Sequence, residues 1–129
     1  MVIHQSAEDY LETILILRER IGLVRSIDIV NELQFTKPSV SVAMKKLREN
    51  GYILTDRDGY ITLTEQGRTV AEGVYERHKL LTQLLITIGV DEETAAADAC
   101  KIEHDLSDQT FAKIKEYAWK RPGVHPDGI

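Results

Sequence analysis

A hairpin signal that follows directly on three helical segments constrains this chain more than any other feature. Residues 52–64 read YILTDRDGYITLT. Two short β-rich runs there flank Asp56-Arg57-Asp58-Gly59, and an Asp-Gly pair between such runs marks a tight turn, because glycine enters the positive-φ region without steric cost. The three segments before it carry helical signals. Over residues 7–21, Tyr10, Ile14 and Leu17 recur at spacings of three and four with Leu11 and Leu15 beside them, as one buried helix face requires, and Gly22 follows as a stop. Ser26 is the expected cap of a second helix over IDIVNEL, with Ile27, Val30 and Leu33 as its buried stripe. Thr36 caps a third, with Pro38 in its first turn, Val40, Met44 and Leu47 facing inward, and Gly51 ending it. Three helices and then a hairpin predict a winged helix-turn-helix.

Helical periodicity resumes after the hairpin. Residues 64–88 read as one long helix opened by Thr64, with Val70, Val74, Leu81 and Leu85 on one face and Gly89 at its end. Asp91 is the expected cap of a helix running to about Leu106, and Ser107 begins a last one through about Trp119. The tail RPGVHPDGI, broken by Pro122 and Pro126, is expected to be irregular. The fold class expected is therefore mainly α with a small β-hairpin wing: a winged helix-turn-helix domain over residues 1–64, then an all-helical domain over 65–129.

Charge is unevenly placed. The formal net charge of the 129 residues is -5, which is not the balance of a general nucleic-acid binder. Residues 36–50 nevertheless hold Lys37, Lys45, Lys46 and Arg48 against Glu49 alone. Residues 91–108 hold Asp91, Glu92, Glu93, Asp98, Glu103, Asp105 and Asp108 against Lys101 alone. A basic helix and an acidic, cation-attracting region share one chain. The start, MVIHQSAEDY, lacks the pattern of a signal peptide, and no run of about 18 apolar residues occurs. A single cysteine cannot form an intramolecular disulfide. The expectation is a cytoplasmic protein with no membrane segment.

In a helix-turn-helix the second helix enters the major groove, about 12 Å wide, and residues near its N-terminus reach base edges. Here those are Thr36, Lys37, Pro38, Ser39 and Ser41. Hydroxyls hydrogen-bond many base edges, and a proline ring packs on a thymine methyl. Lys45, Lys46 and Arg57 in the wing are placed for phosphates, where they supply affinity without sequence information. A lysine pair on a helix is also an ordinary solvated face, and a trihelix with a hairpin also serves in protein contacts.

Three short clusters carry metal-ligand side chains. Asp9 and Glu12 stand three apart on the first helix and project from one face. His78 lies on the long helix in line with Val74 and Leu81. Cys100, Glu103 and His104, at spacings of three and four, share a face of the helix after it. Each has a plain alternative: an acidic pair favours a helix N-terminus, a lone histidine can be a core hydrogen-bonding residue, and a lone cysteine acts as a small hydrophobe. The last cluster crowds a carboxylate, an imidazole and a thiol in a way that calls for a cation. Carboxylate, imidazole and thiolate together suit a first-row divalent ion rather than Mg²⁺ or Ca²⁺. The carboxylates favour Mn²⁺ or Fe²⁺, and the thiolate draws toward Fe²⁺, Co²⁺, Ni²⁺ or Zn²⁺. Cys100 binds a metal only when deprotonated, so affinity is expected to rise with pH.

In the segments EDYLETI, TKPSVSVAMKKL, GYITLTEQGR, ERHKLL and ACKIEHDLS, in that order and spacing, the chain resembles the diphtheria-toxin-repressor family over its length to about residue 120. The resemblance implies a repressor of metal-uptake genes, dimerised through its C-terminal helices and activated by Mn²⁺ or Fe²⁺, that binds double-stranded operator DNA as a homodimer and is not an enzyme. Asp9, Glu12, His78, Glu103 and His104 match the ligand positions of the family's manganese-responsive MntR branch. Cys100 stands where that branch has glutamate and is similar to the iron-responsive branch, which in turn carries methionine in place of Asp9. Thr82 replaces a glutamate of the iron branch's ancillary site, which favours one principal metal site per subunit. Pro38, Ser39, Val40 and Ser41 resemble the iron branch, but Val42 stands where glutamine is common there. The resemblance is to short members without an SH3-like third domain. The alternatives are a winged-helix regulator that answers a small organic ligand or oxidation of Cys100, and a metalloenzyme or metal buffer. Against the latter, no nucleophile–base pair or glycine-rich phosphate loop is recognisable.

Overall fold

The structure, a computed structural model, describes residues 5–120. Its elements run α1 (Gln5–Ile21), α2 (Ser26–Leu33), α3 (Lys37–Glu49), β1 (Ile53–Thr55), β2 (Ile61–Leu63), α4 (Glu65–Thr87), α5 (Glu92–Ile102) and α6 (Asp108–Ala118). The class is as expected, mainly α with one hairpin. The chain divides into two compact units between Glu72 and Gly73, within α4. The expected tail lies outside the described residues.

In the N-terminal unit, Tyr10, Leu11, Ile14 and Leu17 of α1, Ile29 of α2, and Val40, Met44 and Leu47 of α3 join Val24, Tyr52, Ile53, Ile61 and Ala71 in one core. Each fully buried aliphatic side chain there contributes about 1.5–3 kcal/mol. The hairpin pairs antiparallel in the register Ile53↔Leu63, Leu54↔Thr62 and Thr55↔Ile61. Its turn closes as expected: Gly59 takes φ 87°, and Asp56 Oδ1 accepts from the N–H groups of Asp58 and Tyr60, both at 2.9 Å. The outer edge of β2 is blunted, since Ile61 N–H donates to the Val24 carbonyl at 2.7 Å and Arg18 donates to the Ile61 carbonyl at 3.2 Å.

Two details of α2 differ from expectation. Its N-cap is Arg25, and Ser26 is already helical. The cap works because Asp28, one turn on, accepts from Arg25 N–H at 2.8 Å, so an acceptor further along replaces the hydroxyl. The buried residue is Ile29, while Ile27 is exposed. The face toward the core therefore runs through Ile29, Val30 and Leu33, and Ile27 falls outside it.

Helix α4 starts against the hairpin. Thr64 Oγ1 accepts from Gly67 N–H at 3.1 Å and donates to the Gly51 carbonyl at 2.7 Å. Gly67 is there because nothing larger fits: a Cβ on it would stand 2.0 Å from the Tyr52 carbonyl oxygen. In the C-terminal unit Leu80, Phe111 and Ala118 form a small core with Leu84 and Leu106 packed against it. Asp91 caps α5 by accepting from Thr94 N–H at 3.1 Å, and Ser107 caps α6 by accepting from Thr110 N–H at 3.1 Å. Helix α5 ends at Ile102, a turn short of the expected Leu106.

Candidate metal centre and nucleic-acid interface

The early end of α5 is where the ligand-type side chains gather. Arg77 of α4 reaches across with a side chain only 15% exposed. It donates to the carbonyls of Glu103 at 3.1 Å and Leu106 at 2.6 Å, and to Asp108 Oδ1 at 2.6 Å, with its guanidinium 5.1 Å from the Phe111 ring centroid. Carbonyls at a helix end need donors. Arg77 supplies one at Glu103 and another at Leu106 in the segment that follows the helix. Cys100 sits in the last turn of α5, Glu103 is its C-cap, and His104 lies in the turn beyond. This corrects the expectation that all three lie on one continuous helix face.

The next residue of α4 holds the same glutamate by its side chain. His78 Nδ1 lies 2.9 Å from Glu103 Oε2, and His104 Nε2 lies 3.4 Å from Glu103 Oε1. The Glu103 side chain is wholly buried and that of His104 1% exposed. Glu103 Oε1 accepts no hydrogen bond among the described residues. A carboxylate with one such oxygen is costly in a protein interior unless positive charge is brought to it. Sulfur of the exposed Cys100, a Glu103 oxygen and a His104 nitrogen all lie within 4.8 Å of one another. Donors bound at about 2.0–2.3 Å to one ion stand at most roughly 4.6 Å apart, so the set closes on a common ion with small side-chain movement. Thiolate, imidazole and carboxylate are donors for a first-row divalent ion, and the residues fit one.

Thr82 donates its hydroxyl to the His78 carbonyl at 2.7 Å, a use of the side chain within α4 itself. In the N-terminal unit Asp9 is half-buried and Glu12 is buried. Glu12 and Glu103 are the two buried carboxylate residues among those described.

The recognition face of α3 is open. Lys37, Pro38, Ser39, Ser41, Lys45 and Lys46 are exposed, as is Arg57 in the hairpin turn. Thr36 does more than face outward: its Oγ1 accepts from Ser39 N–H at 3.3 Å and donates to Ser39 Oγ at 2.8 Å, so it sets the start of the helix and orients the first serine. Reading the sequence alone missed two residues. Arg77 had no periodic signal, and Arg25, whose guanidinium lies 4.3 Å from the Tyr60 ring centroid beside the hairpin, had only its charge.

No helix among the described residues is long and apolar enough to cross a membrane. Residues 3–61 match the iron dependent repressor N-terminal DNA-binding domain, and residues 64–128 match the iron dependent repressor metal-binding and dimerisation domain. An HTH-type transcriptional regulator of Methanocaldococcus jannaschii is 36% identical over 90% of this chain and 94% of its own length. The HTH-type transcriptional regulator MntR of Geobacillus kaustophilus is 39% identical over 84% and 77%. The structure of a manganese-dependent transcriptional repressor in complex with manganese superposes with a TM-score of 0.79 at 28% identity. That match covers 86% of this chain and 51% of the other, so the chain spans about half of that molecule. With both domains matched in order and relatives above one-third identity across most of its length, this chain belongs to the iron-dependent repressor family.

Proposed function

We propose that this protein is a cytoplasmic, non-enzymatic transcriptional repressor that binds operator DNA as a homodimer and takes Mn²⁺ or Fe²⁺ as corepressor. The observation that carries the reading is the buried Glu103 carboxylate, set between His78 and His104 with Cys100 alongside. In this reading Cys100, Glu103, His104 and His78 supply ligands from the C-terminal unit, and Asp9 and Glu12 supply carboxylates from α1. The ion, when bound, supplies the positive charge that lets these carboxylates be buried together.

The chain's own residues do the rest. Helix α1 carries Asp9 and Glu12, and it also carries Tyr10, Leu11, Ile14 and Leu17 into the core shared with Val40, Met44 and Leu47 of α3. Fixing α1 therefore fixes the base on which α3 rests. In a dimer that sets the separation of two recognition helices, which must fall near 34 Å to meet successive major grooves. Thr36, Lys37, Pro38, Ser39 and Ser41 would read bases, and Lys45, Lys46 and Arg57 would hold phosphates. Metal and DNA are then coupled reciprocally, each tightening the other by the same factor.

The test is selection of duplexes from a randomised library under anaerobic, reducing conditions with Mn²⁺, Fe²⁺, Co²⁺, Ni²⁺ or Zn²⁺. A selected duplex should be retained with metal and released by chelator; equal retention in both conditions would overturn the proposal. The exposure of Cys100 keeps one other reading in view, a thiol-oxidation switch. Reversible loss of DNA binding on peroxide treatment without metal would favour it.

A further inference from the structure

Helix α3 spends one position in a way its packing does not explain. Its inward residues Val40, Met44 and Leu47 are all buried, whereas Val42 is 54% exposed. Its neighbours one turn away, Pro38 and Ser39 before it and Lys45 and Lys46 after it, are exposed too. Val42 therefore lies at the middle of the open face, between the hydroxyl-rich start of the helix and its cationic second half. Valine is a poorer helix former than alanine or lysine because its branched Cβ is confined against the preceding turn. At this site no burial offsets that cost.

We infer that Val42 is a specificity-determining residue that packs on the 5-methyl group of a thymine in the major groove. The inference rests on the DNA-binding reading of α3 given above. The thymine methyl is the apolar group that a base pair presents in that groove, and the four base pairs differ there in pattern. A β-branched side chain has essentially one χ1 rotamer in a helix, so Val42 loses little freedom on contact. The charge around it fits the same occupant. Lys37, Lys45, Lys46 and Arg48 against Glu49 make the helix basic, as a phosphate-flanked groove requires and an apolar protein partner does not.

The test uses the full chain with Mn²⁺ and a duplex selected from the randomised library. Each thymine of that duplex is replaced in turn by deoxyuridine, which deletes only the methyl group. For the unaltered protein, one position per half-site should lose affinity by about fourfold, the effect of one buried methyl-sized group. For Val42→Ala the same replacement should change affinity by less than about twofold, since the partner of that methyl is gone. Val42→Gln, selected afresh on the library, should change the preferred base at that position toward adenine, whose N6 amino group donates to the amide oxygen while its N7 accepts from the amide NH₂. Circular dichroism of both variants should match the parent, because the side chain is outside the core. If the parent binds its duplex in a metal-dependent way but no thymine shows a methyl effect that Val42→Ala removes, the inference is overturned while the repressor reading stands. If no duplex is selected with any metal, both fall together.

Discussion

Replacing Arg77 by methionine tests whether the ligand cluster depends on its anchor. The change keeps much of the aliphatic stem and deletes the guanidinium. Two carbonyls, those of Glu103 and Leu106, lose a charged donor, and hydrogen bonds to a charged group contribute about 1.5–3 kcal/mol each. Water can reach part of the vacated space, which places both at the low end. The bond to Asp108, whose side chain is fully exposed, adds little. The unfolding free energy should fall by about 3 kcal/mol, read as a lower urea midpoint with an unchanged slope. If Arg77 also positions the ligands, Mn²⁺ affinity of the folded protein should fall about tenfold, equivalent to about 1.4 kcal/mol, because the turn carrying Glu103 and His104 must be reordered on binding. Calorimetric titration well below the unfolding midpoint separates the two effects. Arg77→Lys, which keeps one charged donor, should recover part of both. A variant that loses stability while binding Mn²⁺ as tightly as the parent would refute the positioning role, and one that loses neither would refute the reading of these bonds.

Three further outcomes are expected. Glu103→Gln should abolish Mn²⁺ binding, by more than about 100-fold in affinity, yet leave metal-free stability unchanged or about 1 kcal/mol higher, since a buried charge is removed while a hydrogen bond to His78 remains possible; a folded variant that still binds metal in calorimetry would remove Glu103 from the ligand set. Gly67→Ala should destabilise by about 3 kcal/mol because its Cβ would overlap the Tyr52 carbonyl, whereas Gly73→Ala, with nothing within 4 Å, should stabilise by about 0.5–1 kcal/mol through helix propensity; equal signs in thermal melts would contradict the packing. Hydrogen bonds from Thr94, first through its side chain and then its backbone, hold the Asp91 carboxyl below its ordinary value of 3.8. A depressed folded-state pKa gives stability that is present above the unfolded value and is lost as pH falls through the folded one. Asp91→Asn should therefore differ from the parent at neutral pH by a constant amount that shrinks below about pH 4, and a parallel acid limb would show that the cap does not titrate in this way.

Local signals were legible wherever local chemistry decides the outcome. Thr36, Asp91 and Ser107 cap their helices by accepting from the residue three further on, a bond whose partners are adjacent in sequence. The hairpin follows from Asp56 and Gly59 for the same reason. Signals failed where a more distant group intervened. Helix α2 starts one residue before the position that a Ser26 cap predicts, because Asp28 supplies the acceptor in place of the Ser26 hydroxyl. Periodicity continues past Ile102 to Leu106, while the Glu103 carbonyl at the helix end is bonded by Arg77, 26 residues away, a partner that no local signal reveals. In the candidate site, the spacing of Cys100, Glu103 and His104 was visible as a pattern. That His78 meets Glu103 is a consequence of how α4 packs beside α5, which no spacing encodes.

The place where reading by periodicity failed is also where the site is built, and the two have one cause. A continuous helix through Leu106 would keep Cys100, Glu103 and His104 on one face, whereas the helix that ends at Ile102 puts Glu103 at its cap and His104 in the turn beyond. Ending α5 at Ile102 leaves carbonyl oxygens and the negative end of the helix dipole beside the Glu103 carboxylate. Consecutive residues of α4 answer that negative charge in different ways: Arg77 takes the backbone permanently, and His78 takes the side chain with a group that can give way to an ion. The fixed cation keeps the turn in place, so the exchangeable one finds its ligands already gathered. Under the proposed function, what then remains for the metal is to hold Asp9 and Glu12. Those two side chains belong to the helix whose apolar residues pack into the core under α3. Metal occupancy would be reported at the DNA-reading surface through that core, without a separate relay.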